Sequence, residues 1–313
     1  DALPILHDYI KAFCAEKGIM SQLIREKTVQ DYNQKCQIHW WLSLSFYVKS
    51  FRTPWILANS DNTTAFAGLG YSVDSKVDSN GHIVLGCSHI YSSSGEGLKF
   101  KLARISNDKI QWRHRKPHLC YDDAYEFGKN IIELFYESMN ELPKRVVIHK
   151  RTYFTEEEKQ GIIDSISDNN KIESIDLIEI NFEDNIKYTS SKIVEGKACV
   201  DGFSVSRGSC ILLNSKEALL WAHGVVPSVR NPNFSFYPGG RYIPKPLRII
   251  KHYGVGSLEQ IANEILGLTK MNWNSLNMYS QLPATICSSN DIARIGKLID
   301  SNSKHEYDYR YFI

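Results

Sequence analysis

No apolar run in this chain reaches the roughly 20 residues needed to cross a bilayer. No stretch near Asp1 carries the basic, apolar and small-residue pattern of an export signal, so a cytoplasmic protein is expected. The chain starts in mid-pattern, and an upstream portion is expected. Cysteine pairing is lacking too. Cys14, Cys36, Cys87, Cys120, Cys199, Cys210 and Cys287 are an odd set of seven without a C-x-x-C among them, which argues against a zinc ribbon or a disulfide frame. Cys36 and His39 have no second pair to complete a metal site. There is no dinucleotide fingerprint, and no Ser–His–Asp set at a recognisable spacing. Ser92-Ser93-Ser94-Gly95-Glu96-Gly97 lacks the G-K-[ST] ending of a phosphate loop and reads as a hairpin loop. Net charge is only +2, which by itself points to no polyanion partner.

What is present is enough chain for two globular domains: 313 residues, 42% hydrophobic and 23% charged. Charge is segregated along it. Between Lys99 and His118 lie seven Lys and Arg residues against Asp108 alone. Between Arg230 and His252 lie Arg230, Arg241, Lys245, Arg248 and Lys251 with no acid. Asp164 to Asp184 is the reverse, with seven acids and only Lys171. Such segregation makes either a basic face on a nearly neutral protein or ordinary solvated surface.

Ile5, Leu6, Tyr9, Ile10 and Phe13 predict a helix over 4–17 with that stripe as its core face, ended by Gly18. A strand is expected at Ile19–Ile24, then the apolar run Trp40–Val48, then a linker over Asn59–Thr64. From Ala65 the period changes to strands: AFAGLGYSV, HIVLGCSHIY and LKFKLARI, with Ser79-Asn80-Gly81 as a turn. A helix is expected at 122–140, a buried strand at Val146–Ile148, and a helix opened by the Thr155-x-x-Glu158 capping box. Strands at 175–181, 209–213 and 218–224, a helix capped by Ser257 and a last helix at 290–300 complete a mixed sheet flanked by helices. That order suits an RNase H-like domain and other α/β folds alike.

Three segments narrow the choice. HDYIKAFCAEKGIMSQLIREKT resembles the second half of an Argonaute MID domain. RVVIHKRTYFTEEEKQGI resembles the PIWI segment around its second catalytic position. LTKMNWNS followed by LPATICSSNDIARIG resembles the end of PIWI, before the aromatic tail YDYRYFI. The resemblance runs in order over nearly the whole chain. It implies an α/β protein: the C-terminal part of a Rossmann-like MID domain over 1–60, then an RNase H-like PIWI domain over 61–313. Without N-terminal and PAZ domains, it resembles the short prokaryotic class.

His7 and Lys11 are four apart and share a helix face, which alone fits a solvated pair or a phosphate site. The resemblance assigns His7, Lys11, Gln22 and Lys49 to a pocket for a guide's 5′ phosphate. It also implies Mg2+ there, bridging that phosphate to Gln22 and to the C-terminal carboxylate of Ile313; a hard cation between two anionic oxygens is sound magnesium chemistry.

Cutting PIWI domains hold two magnesium ions on clustered carboxylates. The matching positions here are Gly70, then Lys150 or Arg151, then Asn290 or Asp291. An inactive centre is expected, not an enzyme, with Lys150, Arg151, Lys245 and Arg294 contacting nucleic-acid backbone. The alternative is an active guide-dependent nuclease with shifted carboxylates at Asp74, Asp122 or Asp291. For Gly70 alone, a strand bulge or a close approach explains the residue equally well.

The resemblance further implies a guide RNA, a single-stranded DNA target and an APAZ-containing effector. A sirtuin-like, NAD-hydrolysing partner is favoured over a TIR one, in a heterodimeric antiviral defence acting by abortive infection.

Overall fold

The computed structural model describes residues 2–30, 35–58, 63–73, 82–92, 99–106, 110–113, 116–189, 191–200, 205–226, 243–273, 279–299 and 306–312. Three helices come first: α1 (Ala2–Glu16), α2 (Glu26–Gln30) and α3 (Lys35–Lys49). Then follow β1 (Thr64–Val73), β2 (His82–Tyr91), β3 (Lys99–Lys101), β4 (Ala103–Ser106), β5 (Gln111–Arg113) and β6 (Lys116–His118). Next come α4 (Tyr121–Met139), β7 (Arg145–Lys150), α5 (Glu156–Ser167) and β8 (Ser174–Phe182). After the hairpin β9 (Ser191–Val194) and β10 (Lys197–Val200) come β11 (Cys210–Leu212), β12 (Glu217–Leu220), β13 (Leu247–Tyr253), α6 (Leu258–Leu268), α7 (Ala284–Gly296) and β14 (Glu306–Asp308). A 3-10 turn, Tyr309–Tyr311, ends the described chain.

Eight strands form one mixed sheet in the order β11-β12-β13-β8-β7-β1-β2-β4. Its centre, β1, β7 and β8, is parallel, and the strands outside it run antiparallel to their neighbours. Central strands buried on both faces carry continuous apolar runs. Val146 and Ile148 of β7 face one way, with Ile131, Leu134 and Phe135 of α4 and Ile162 of α5. Val147 faces the other way, with Ile261 and Ile265 of α6 and Ile292 and Ile295 of α7. Each such fully buried side chain contributes about 1.5–3 kcal/mol.

Local chemistry sets the helix ends. Thr155 Oγ1 accepts from Glu158 N while the Glu158 carboxylate accepts from Thr155 N, a complete capping box on α5. Asn140 closes α4 in the left-handed region, at φ 55°. Ser257 caps α6 by accepting from Gln260 N.

Several expectations need correction. Ile19–Ile24 is irregular and not a strand; it has no neighbouring strand, and Lys11 Nζ donates to its Ser21 carbonyl at 2.8 Å. The third strand run divides at Leu102: β3 pairs with β14 and β4 with β2. Strand β12 stops at Leu220, short of 224. The last helix starts at Ala284, right after Pro283, and not at 290. In α1 the apolar stripe faces outward: Ile5, Leu6, Tyr9 and Phe13 are 54–61% exposed, while Asp8, Lys11, Ala12 and Ala15 are buried. Helix period was right there; which face is covered was not.

The expected turn at 79–81 and the loop at 93–97 lie outside the described residues, as does most of the 59–64 linker, including the expected domain boundary. No helix among the described residues is long and apolar enough to cross a membrane.

Candidate nucleic-acid interface

Helix α1, the loop after it and the end of α3 converge on one cluster of donors. Lys11 is 2% exposed and Lys49 is 9% exposed, so two cations are buried side by side. Lys49 Nζ donates to Gln22 Oε1, and to Ser45 Oγ at 3.0 Å. Ser45 in turn donates to Gln22 Oε1 at 2.5 Å. Burial, and after it the neighbouring Lys11, lower the Lys49 pKa to about 7. Burial lowers Lys11 as well. Among the described residues no carboxylate pairs with Lys49. An anion bound beside Lys49 would favour its charged form.

Of the expected pocket residues, Lys11, Gln22 and Lys49 come together. His7 sits one turn before Lys11, half exposed, its Nδ1 3.1 Å from Asp8. Ile313 lies outside the described residues. The residues just before it pack against α1 and α3, the helices that carry the two lysines, and Arg310 lies over the Phe51 ring at 5.3 Å.

The second cluster lies where β1, β7 and α7 meet. Leu69 pairs with Lys150, which places Gly70 and Arg151 at the same level of adjacent parallel strands. A Cβ at Gly70 would lie 2.7 Å from the Ser289 carbonyl carbon and 2.9 Å from Asn290 N. At Gly68 it would meet Thr285 O at 1.9 Å. Two glycines thus let α7 lie against β1. Cys287, its thiol pushed up to about 12 by burial and by Asp291, is close enough to Arg151 to interact electrostatically. His149 is fully buried and bridges to Thr285 Oγ1 at 2.9 Å; burial and Arg145 lower its pKa to about 3, so it stays neutral. Asp74 lies outside the described residues, Asp122 sits in the first turn of α4, and Asp291 is exposed. Among the described residues no three His, Cys, Asp or Glu groups gather as a metal requires.

Lys150 does not face a nucleic-acid channel, contrary to expectation. Its side chain is fully buried, and Nζ lies 2.6 and 2.7 Å from the two Glu158 oxygens. Strand alternation decides this: Arg151, the next residue, takes the more open side. Lys245 and Arg294 also have protein partners. Lys245 pairs with Asp184 at 2.5 Å and Arg294 with Asp8 and Asp291. Around β13 the segregated charge is paired in space, because antiparallel β13 lies beside the acidic β8. Arg248 pairs with Glu183 and Glu217, and His252 with Glu179.

Sequence reading missed Ser45, one turn before Lys49 and on its face, which α-helical spacing could have flagged. It missed Glu158 as the counter-ion of Lys150, eight residues away across a turn, and the Asp8–Arg294 clasp between α1 and α7. Neither of those has a local signal.

Comparison with known proteins fits this geometry. No family model matches the sequence, and no curated protein matches it. Among solved structures, one of Clostridium butyricum Argonaute bound to a guide DNA and a 19-mer target DNA is similar over 97% of this chain, with a TM-score of 0.69 and 20% identity. One of Aquifex aeolicus Argonaute is similar over 99%, with a TM-score of 0.66 and 21% identity. The chain spans only 37% and 40% of those two chains. Likeness at this identity establishes the fold, a mixed α/β arrangement of the MID–PIWI kind.

Proposed function

From an Argonaute MID–PIWI-like fold with a buried lysine pair, we propose that this chain is the guide-binding subunit of a short prokaryotic Argonaute defence system. It takes a small RNA guide by its 5′ phosphate and pairs it with single-stranded DNA without cutting. Target capture then activates an associated APAZ-containing effector, sirtuin-like and NAD-hydrolysing, with a TIR effector as the alternative. Any NAD chemistry belongs to that partner, and a bound duplex would act by shifting its population of states. The Clostridium butyricum structure holds a guide and a target strand, which favours the guide-dependent reading.

The observation that carries the proposal is the Lys11–Lys49 pair beside Gln22. A terminal phosphate would accept charge-assisted hydrogen bonds from such a pair of buried lysines. Gln22 Oε1 and the Ile313 carboxylate are the oxygens this chain would offer to a magnesium ion on that phosphate. The packing of residues 309–312 against α1 and α3 suits that role. The ion would neutralise the approach of carboxylate to phosphate.

Lys11→Glu and Lys11→Met are expected to weaken a 5′-phosphorylated guide by about a hundredfold, the worth of roughly 3 kcal/mol of charged hydrogen bonding. A 5′-hydroxyl guide should change little. Equal losses for both guides, with the fold intact by circular dichroism, would sink the pocket.

A pH dependence follows from Lys49. Free protein holds it near its titration point at pH 7, whereas a bound phosphate dianion favours the ammonium. Phosphate binding therefore takes up a proton above pH 7. Affinity for the phosphorylated guide should fall by up to about tenfold per pH unit between 7 and 9. Folding responds with the opposite sign. The unfolded lysine binds more protons than the folded one above pH 7, so this group adds stability as pH rises through that window. Binding isotherms and thermal melts over one pH series test both slopes.

A further inference from the structure

A cavity of about 440 Å³ opens at the opposite end of the sheet from Gly70 and Arg151. Arg145 at the start of β7 pairs with Ser174 at the start of β8, and Ser174 lines the cavity. From there β8 runs to Phe182, whose ring lies under the Arg151 guanidinium at 5.0 Å, so roughly 25 Å of strand separates the two places. The volume falls within the range of small-molecule sites, about 300–1,000 Å³. Ile172 and Ile175 give the cavity an apolar wall. Lys216 and Lys251 also line it, and strand pairing sets them opposite each other: Lys251 N donates to Lys216 O at 2.8 Å, one step beyond the Glu217–Ile250 pair. Like charges directly opposite across an antiparallel pair repel. On the same strand Arg248 and His252 each have an acid partner. Lys251 has none among the described residues; its Nζ donates to the Gly256 carbonyl at 2.7 Å. Glu173, the one acid lining the cavity among the described residues, pairs with neither lysine. The register of β13 shifts between Lys251 and Tyr253, an irregularity of the kind that re-aims a side chain. Tyr253, just past it, lines the cavity and is 44% exposed. Gly254 then turns the chain at φ 115°, where a Cβ would lie 2.1 Å from Asp176 Oδ1.

We propose that this cavity is a binding site for a small anionic ligand with a flat ring, of the nucleoside monophosphate class. The phosphate lies between Lys216 and Lys251, where charge-assisted hydrogen bonds replace their mutual repulsion. The ring lies on Tyr253 and against Ile172 and Ile175; stacking of this kind accepts any base, because every base has a π face. Ser174 and Glu173 remain for the sugar hydroxyls, Glu173 as an acceptor only. No residue lining the cavity belongs to α1 or α3, which carry the Lys11–Lys49 pair. The site is therefore separate from the 5′-phosphate pocket, and the proposal stands whether or not the chain takes a guide.

The test is calorimetric titration of the full chain with adenosine monophosphate, adenosine and inorganic phosphate in turn. Lys11→Met serves as the background, because a terminal-phosphate pocket would accept the nucleotide too. In that background one adenosine monophosphate per chain is expected, with adenosine and phosphate each weaker by about tenfold or more. Lys216→Glu, at an exposed position, should weaken the nucleotide by about tenfold or more, with a melting temperature unchanged or higher as the lysine repulsion is relieved. Tyr253→Ala should weaken the nucleotide by about fivefold or more and leave phosphate alone. In the otherwise unaltered chain, Lys216→Glu should remove one bound nucleotide per chain. A nucleotide isotherm that Lys216→Glu leaves unchanged would overturn the site, as would the absence of any nucleotide binding in the Lys11→Met background. Phosphate binding as tightly as the nucleotide would overturn the ring assignment, and adenosine binding as tightly would overturn the role of the two lysines.

Discussion

Glu158→Ala is expected to lower the unfolding free energy by about 3–5 kcal/mol, the range found when one member of a buried ion pair is removed. The carboxylate has no exposed surface. It accepts from Lys150 Nζ, from the Leu119 and Thr155 backbone N–H groups and from Tyr71 Oη, with His118 Nδ1 3.3 Å away. It therefore ties together the ends of β1, β6 and β7 and the cap of α5. Truncation strands the Lys150 ammonium in the core, orphans two backbone donors and removes half of a capping box. For a domain of this size each kcal/mol shifts the melting temperature by about 2–4 °C, so a fall of roughly 6–20 °C is anticipated. The double variant Glu158→Leu with Lys150→Met should recover much of the loss, because no unpaired charge remains. A cost below about 1 kcal/mol in denaturant titration would show that the pair is dispensable. Acid provides a second readout. Burial alone would raise the Glu158 pKa, but hydrogen bonding with His118 and the charge of Lys150 outweigh it and hold the group at about 2. Its stabilising share is thus complete above the ordinary glutamate range and is lost as pH falls from there towards 2.

Placing carboxylates at Gly70, Arg151 and Asn290 is expected to give no nuclease. The variant Gly70→Asp, Arg151→Asp, Asn290→Asp supplies three acids where the resemblance places them. Yet the first new Cβ falls within 3 Å of the Ser289 and Asn290 backbone, and backbone inside a packed helix cannot turn aside as a flexible side chain can. Overpacking of this kind costs roughly 1–3 kcal/mol or more. Relief requires α7 to withdraw from β1, which pulls on the Asp8–Arg294 clasp and so on the helix that bears Lys11. Gly70→Ala isolates the steric part and should destabilise comparably. Guided cutting by the triple variant with magnesium or manganese would refute this account of the closed centre. So would a melting temperature unchanged in Gly70→Ala. Cutting by the unaltered chain would go further and remove the proposal that it binds without cleaving.

The two clusters were legible to different degrees. Lys11, Gln22 and Lys49 are far apart in sequence but meet in the fold, and resemblance alone selected them. Ser45, which holds Gln22 and Lys49 together, was invisible as a function because a helical serine beside a lysine is ordinary. Gly70 could be read as a missing acid, though not as the contact that lets α7 close. Lys150 and Arg151 were interchangeable on paper. Pleating separated them, burying one against Glu158 and leaving the other with an open guanidinium.

The sequence by itself determined the helices α4, α5 and α6, the strand β7, the caps at Thr155 and Ser257, and the α/β order. All of these depend on residues within about four positions of each other, where backbone hydrogen bonds and side-chain period act directly. The tertiary structure alone decided which face of α1 is covered, which acid meets which base across β8 and β13, and how near α7 comes to β1. Those outcomes depend on desolvation and contact between segments distant in the chain, and a local pattern contains no term for either.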